Sequence, residues 1–211
     1  MAFLEGAGSL TDKAFEPQAH SGKIGVPTGF GIRVGMPPRR KGGKAPHLVA
    51  ALVHGIGAVL GQVAVEEKSN EIPAVRELLK AFTDLAGAVI TMDALHPQHD
   101  TARAVTDREA DYVMTVKANM PTLYRQLKKL PWARVPAVSS VSTDHGRRAR
   151  RTVKTVLAPA GIEFEGVAQV AQVRRTVTKK GKKTVEVVYI ITSDRQATRP
   201  RWPPGSAGTG T

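Results

Sequence analysis

The chain has 211 residues, a formal net charge of +13, no cysteine and 41% hydrophobic residues. This composition fits one globular domain with an appendage, and it excludes a wholly disordered chain, disulfides and thiolate metal sites. No apolar run reaches the length of a membrane span, and the amino terminus lacks the basic start and apolar core of a signal peptide, so we expect a cytoplasmic protein without a membrane partner.

The positive charge is concentrated in the second half of the chain. Residues 111–211 contain 19 Lys or Arg and 6 Asp or Glu, whereas residues 51–110 are net acidic. A basic half of this kind is typical of a protein that binds a polyanion, most simply nucleic acid. Charge alone fits a solubilising surface equally well.

The amino-terminal segment, residues 1–46, is rich in glycine and proline and contains the basic run Arg-Arg-Lys at 39–41. This composition predicts a poorly structured arm, in which only residues 30–34 have the pattern of a short strand.

Between residues 47 and 131, strands alternate with helices. Apolar runs of strand length are separated by segments with helical spacing, and the connections are short. The predicted strands are 48–53, 58–65, 87–91 and 111–117, and the predicted helices are 69–82, 97–108 and 121–130. This alternation predicts an α/β core with some parallel strand pairing.

After residue 131 the pattern becomes rich in β-strands. The run Lys-Lys-Gly-Lys-Lys at 179–183 predicts a hairpin tip, and residues 194–211 predict a disordered tail. The predicted strands of this part are 135–143, 150–157, 167–178 and 184–192.

Asp93 directly follows a predicted buried strand. A carboxylate at such a position is rigidly held and faces solvent, which suits a hard cation such as Mg²⁺. The alternative is an Asp that caps a turn after the strand. His96 and His99 lie nearby, and we interpret them as bystanders.

Two groups of residues are candidates for phosphate contacts. Lys117 and Asn119 follow the next predicted strand, and they share an edge with Asp93 if the two strands are parallel neighbours. His145, Arg147 and Arg148 lie in a basic turn, where guanidinium groups suit phosphate oxygens. For both groups the alternative is a solvated strand end or turn.

Four short motifs in this order resemble the insertion-sequence DDE transposases of the ISAs type, the group that includes the H-repeat-associated proteins. The similarity extends from about residue 45 to about residue 193. The motifs are Glu-Lys-Ser-Asn-Glu-Ile-Pro-Ala-Val at 67–75, Asp-Ala-Leu-His-Pro-Gln at 93–98, Asp-Tyr-Val-Met-Thr-Val-Lys-Ala-Asn at 111–119 and His-Gly-Arg at 145–147.

The resemblance implies a ribonuclease-H-like core at 47–131 with a β-rich insertion at 132–193. It also implies DNA, the transposon ends, as the partner and a homo-oligomer as the assembly. Family members use Mg²⁺ ions held by Asp, Asp and Glu to cleave and join DNA. Asp93 matches the second of these acids, both as catalytic residue and as metal ligand.

The first strand and the final catalytic helix of the family are not recognisable in this chain. No acidic residue occurs between Glu16 and Glu66, where the first Asp is expected, and the similarity ends before the catalytic Glu. We therefore predict an inactive remnant with replaced or frameshifted termini and marginal stability. The alternatives are a non-catalytic fragment that competes for transposon ends or pairs with the full-length enzyme, and a basic RNA-binding module.

Overall fold

The computed structural model describes residues 24–25, 31–35, 48–54, 58–65, 71–92, 98–144, 147–179 and 181–197. Asp93, His96 and His145 lie outside the described residues, as do Ser69, Asn70 and most of the arm at 1–46. The strands are β1 (Ile24–Gly25), β2 (Gly31–Gly35), β3 (Leu48–Val53), β4 (Val59–Ala64), β5 (Phe82–Asp84), β6 (Val89–Met92), β7 (Asp111–Val116), β8 (Val138–Asp144), β9 (Arg147–Leu157), β10 (Gln169–Lys179) and β11 (Lys182–Thr192). The helices are α1 (Glu71–Lys80), α2 (His99–Thr106) and α3 (Pro121–Lys129), and a 3-10 turn spans Trp132–Arg134.

Nine of these strands form one sheet in the order β4-β3-β2-β6-β7-β11-β10-β9-β8. The strands β4, β3 and β2 are antiparallel, whereas β2, β6 and β7 are parallel neighbours. The remaining strands, from β11 to β8, are antiparallel. The α/β class and the parallel pairing expected from the sequence are therefore confirmed.

One buried row of side chains crosses six adjacent strands of this sheet. Its members are direct partners in register, and each is at most 4% exposed. They are Ala51, Val34, Met92, Met114, Ile191 and Val170. Burying an apolar side chain of this size contributes on the order of 1.5–3 kcal/mol, so this row is a main source of stability.

The three helices pack in the same core cluster as this row, and we call that side of the sheet the helix side. Leu78 and Leu79 of α1, Val105 of α2 and Leu127 of α3 are each at most 2% exposed within it. Within α1 the buried residues Val75, Leu78 and Leu79 follow the helical period that the sequence predicted. The first helix, predicted at 69–82, ends at Lys80, and Phe82 belongs to β5, where it is 2% exposed, whereas the predicted start lies outside the described residues.

The β-rich segment after residue 131 continues the core sheet. Residues 189–192 of β11 pair with residues 113–116 of β7, and β10, β9 and β8 follow in order. All four predicted strands of this segment are confirmed, with β9 beginning at Arg147 rather than at residue 150. None of the helices in the described part is long and apolar enough to cross a membrane.

Candidate functional site

The carboxyl ends of β6 and β7 meet at one edge of the sheet. Met92, the last residue of β6, is the register partner of Met114 in β7, and the two strands are parallel. Lys117 and Asn119 follow the end of β7 and are exposed. Asp93 is the next residue in sequence after Met92. The sequence predicted Lys117 and Asn119 at this edge on the condition that the two strands are parallel neighbours. The structure meets that condition.

A cavity of about 380 Å³ opens beside this edge. Its lining combines carboxamide groups with an aromatic wall, and it includes Gln98, His99, Asn119, Gln126, Glu163 and Phe164. The rings of His99 and Phe164 lie 4.7 Å apart between centroids. This cavity was not predictable from the sequence, because the segment between β9 and β10 that closes it carries no motif.

Hydrogen bonds anchor that closing segment to the core. The hydroxyl of Tyr112, a fully buried residue of β7, donates to the backbone oxygen of Glu165 at 2.7 Å. The guanidinium of Arg103 in α2 lies 2.8 Å from the Glu165 carboxylate, which raises the pKa of Arg103. The segment that bears Glu163 and Phe164 is thus fixed against β7 and α2.

Tyr112 makes this anchor sensitive to high pH. Burial raises the pKa of its hydroxyl above the ordinary value, and the carboxylates of Glu165 and Asp111 raise it further. The folded chain therefore holds this proton more tightly than the unfolded chain. The resulting stability is complete below about pH 10 and is lost as pH rises above that value.

We expect Tyr112→Phe to lose about 1–3 kcal/mol of unfolding free energy at neutral pH, because the Glu165 carbonyl loses its donor. Above about pH 10 the substituted chain should lose stability less steeply than the natural chain. Urea unfolding at a series of pH values measures both effects. If the unfolding free energies of the natural and the substituted chain fall equally steeply above about pH 10, Tyr112 is not the titrating group.

The four strands β8–β11 form a ribbon that extends past the same edge. Because β11 is antiparallel to β7 and pairs with it only through residues 189–192, its residues 182–188 continue beyond the end of β7. At about 3.4 Å per residue this extension is roughly 24 Å long. Arg147 and Arg148 lie at its far end, opposite Lys179 and Thr178, well away from Lys117 and Asn119.

The ribbon carries much of the positive charge of the chain. Its strands contain ten Lys or Arg, five in β9, three in β10 and two in β11, against two acidic residues. Arg150 belongs to the basic turn and Lys183 to the basic run at 179–183 that the sequence shows, and both are exposed. Arg174 is also exposed, and its only signal in the sequence was the count of charges.

Within the described residues there is no complete site for two Mg²⁺ ions. The strand beside β6 is β2, and its sequence Gly-Ile-Arg-Val-Gly has no acidic residue. No three His, Asp or Glu side chains come together as a metal-binding group within the part of the chain that the structure describes. Asp93 alone supplies fewer oxygen ligands than Mg²⁺ requires.

Comparison with known proteins defines the class. The model of the transposase DDE domain matches residues 27–198. The chain therefore belongs to the transposase DDE domain family, whose members use divalent metal ions.

Curated relatives narrow the group. "Putative transposase YncI" of Escherichia coli O157:H7 is 34% identical over 75% of this chain and 44% of its own length. "H repeat-associated putative transposase YhhI" of Escherichia coli K12 is 31% identical over 75% of this chain and 46% of its own length. The resemblance to transposases of insertion-sequence mobile elements is confirmed. The chain spans less than half the length of these relatives.

Among solved structures, the crystal structure of Streptomyces venezuelae DesVI matches 52% of this chain and 45% of its own chain, with a TM-score of 0.26 and 15% identity. This likeness is too low to relate the two folds.

Proposed function

We propose that this transposase-family protein has a ribonuclease-H-like core, binds DNA, and does not by itself cleave or join DNA. The strand arrangement supports the proposed core. Three antiparallel strands, β4, β3 and β2, are followed by the parallel strands β6 and β7 in one sheet. We infer that β2, which the sequence predicted only as a short strand at 30–34, takes the place of the first strand of the family's core.

The observation that carries DNA binding is the position of the ribbon. It extends past the edge where β6 and β7 end, and it carries ten basic and two acidic residues. Lys117 and Asn119 lie at that edge, and Arg147 and Arg148 lie near the tip. A duplex against the edge would therefore meet cationic side chains along its length, and cations that neutralise phosphates provide most of the affinity for DNA.

The proposed loss of catalysis follows from the small number of carboxylates that could hold the metal ions. Asp93 is the one family carboxylate that this sequence retains, and the central strand β2 beside its strand has no acid. A DDE reaction needs carboxylates that hold two metal ions on the attacking and the leaving oxygen. We infer that the chain is a remnant whose termini were replaced, and translation of the surrounding DNA in the other two frames tests this. In related transposases the first Asp lies in an Asp-Gly-Lys context and the catalytic Glu in a Trp-x-x-Glu-Asn context. If the other frames encode neither the first context upstream nor the second downstream, the frameshift explanation is wrong.

Binding is tested by fluorescence anisotropy with duplex DNA from the element's own ends and with a shuffled duplex, across a salt series. We expect the logarithm of the binding constant to fall linearly with the logarithm of salt concentration. A preference for end DNA would support a fragment that competes for transposon ends. Absence of binding at low salt, or a preference for RNA of the same sequence, would contradict the proposed function.

Catalysis is tested with the same end DNA and Mg²⁺ or Mn²⁺. We expect no nicked or joined product, and no difference between the natural chain and Asp93→Asn. We also expect calorimetry to show no saturable Mg²⁺ binding, since one carboxylate supplies too few ligands. Products that form with the natural chain and vanish with Asp93→Asn would show that the chain is an active transposase.

A further inference from the structure

The strand register divides the cations of the ribbon between its two faces. Register partners on neighbouring strands point to the same side, and residues along a strand alternate between sides. Val156, Val170 and Ile191 are register partners, and Val170 and Ile191 are buried on the helix side. Every second residue from them toward the tip therefore also lies on the helix side.

This rule places five cations on the helix-side face of the ribbon. Four of them are exposed, namely Arg148, Arg150, Arg174 and Lys183, whereas Lys154 is half-buried at the base of the ribbon, where it donates to the backbone oxygen of Trp132. The opposite face has Arg147, Arg151, Arg175, Lys179 and Lys182, but also Glu186. The helix-side face is therefore purely cationic, whereas the opposite face is mixed.

Hydroxyl groups surround the cations on the helix-side face. Ser139 is the register partner of Thr152, and their hydroxyls lie 3.0 Å apart. The guanidinium of Arg150 lies 3.5 Å from the Ser139 hydroxyl, so it leans across the outer strand β8. Arginine, lysine, serine and threonine are the side chains that contact phosphate and sugar in protein–DNA complexes.

The same face adjoins the carboxyl edge. Tyr189 lies at the base of the ribbon on the helix side, where it is the partner of Val116 at the end of β7. Its ring packs against Tyr124 of α3, the helix that begins just after Asn119, with centroids 5.3 Å apart. The base of the helix-side face therefore lies beside α3.

We propose that the helix-side face of the ribbon binds the sugar-phosphate backbone of duplex DNA and directs the duplex to the carboxyl edge. This proposal rests on the proposed DNA binding, and it identifies the face of the ribbon that contacts the DNA. Cations two residues apart on one strand are about 7 Å apart, and neighbouring strands add steps of about 4.8 Å, so the face presents a compact cationic grid. Tyr189 is the one aromatic residue of these four strands and is buried. The face thus lacks the stacking platforms that single strands use.

The test compares two triple substitutions, each with one cation from β9, β10 and β11. The helix-side triple is Arg148→Gln, Arg174→Gln and Lys183→Gln, and the control is Arg151→Gln, Lys179→Gln and Lys182→Gln. We expect the helix-side triple to weaken binding to a short duplex at least tenfold and to reduce the salt slope by about three, one for each lost phosphate contact. The control triple should change affinity less than about threefold.

Thermal unfolding should be unchanged in the helix-side triple, because its three side chains are exposed. Equal losses in both triples, or a larger loss in the control, would overturn the proposal while leaving DNA binding itself intact. Tighter binding to single strands than to the duplex would also overturn it. If the natural chain binds no DNA at all, it is the proposed function that fails.

Discussion

Trp132→Ala is expected to lower the free energy of unfolding by about 3–5 kcal/mol, as for other large-to-small core substitutions. Trp132 is 6% exposed, its indole N–H donates to the Leu127 oxygen at 2.7 Å, and its ring lies 6.1 Å from that of Tyr189 between centroids. The ammonium of Lys154 donates to the backbone oxygen of Trp132. The side chain of Trp132 therefore joins α3 to β11 at the base of the ribbon.

Urea unfolding of the natural chain, Trp132→Ala and Trp132→Phe measures this effect. The phenylalanine variant keeps most of the apolar contact but removes one of the two hydrogen bonds to the Leu127 oxygen, which still accepts from the Leu130 N–H, so it should lose about 0.5–1.5 kcal/mol. In the alanine variant we also expect faster amide exchange in β10 and β11 than in β6, because the base of the ribbon is loosened. A loss below about 1 kcal/mol for alanine would mean that the ribbon does not depend on Trp132.

The local elements of this fold were largely predictable from the sequence. Residues 48–53 form the predicted strand, and the helix predicted from 121 to 130 ends one residue earlier. Apolar periodicity is a local signal, and these segments follow it. The connection between the core and the ribbon was not predictable, because it depends on Val116 pairing with Tyr189, 73 positions along the chain.

The candidate site was predictable only in part, for a related reason. Lys117 and Asn119 follow a strand end that can be recognised in sequence, so their place at the edge required only the parallel pairing that the structure shows. Which cations of the ribbon share a face depends on strand register, and a shift by one residue moves every side chain to the other face. Arg150 and Arg151 are adjacent in sequence but lie on opposite faces.

The strand β2 shows how tertiary pairing can exceed local propensity. Residues 30–34 have the pattern of a strand, but glycine and proline residues flank them, so the sequence predicted only a short strand within a poorly structured arm. In the structure Gly31–Gly35 pairs with β3 on one side and β6 on the other, and Val34 is 1% exposed in the buried row. Two neighbouring strands supply the partners that this short segment requires.

Val34→Pro should therefore destabilise the chain by more than about 3 kcal/mol. Proline removes a backbone N–H from a strand that is paired on both sides, which leaves a buried acceptor unsatisfied, and it also replaces the apolar side chain at the centre of the buried row. Since domains of this kind are stable by only about 5–15 kcal/mol, we expect a lower and broader unfolding transition and increased aggregation. Circular dichroism during heating and light scattering measure the two outcomes.

Val59→Pro is the matched control for this substitution. Val59 is the first residue of β4, and it is 54% exposed. The strand β4 is the edge strand of the described sheet at the end opposite to β8. Proline is tolerated at the first residue of an edge strand, so this change should cost less than about 1 kcal/mol. If both variants unfold like the natural chain, β2 does not hold the centre of the sheet, and the first strand of a ribonuclease-H-like core would then be absent from this chain.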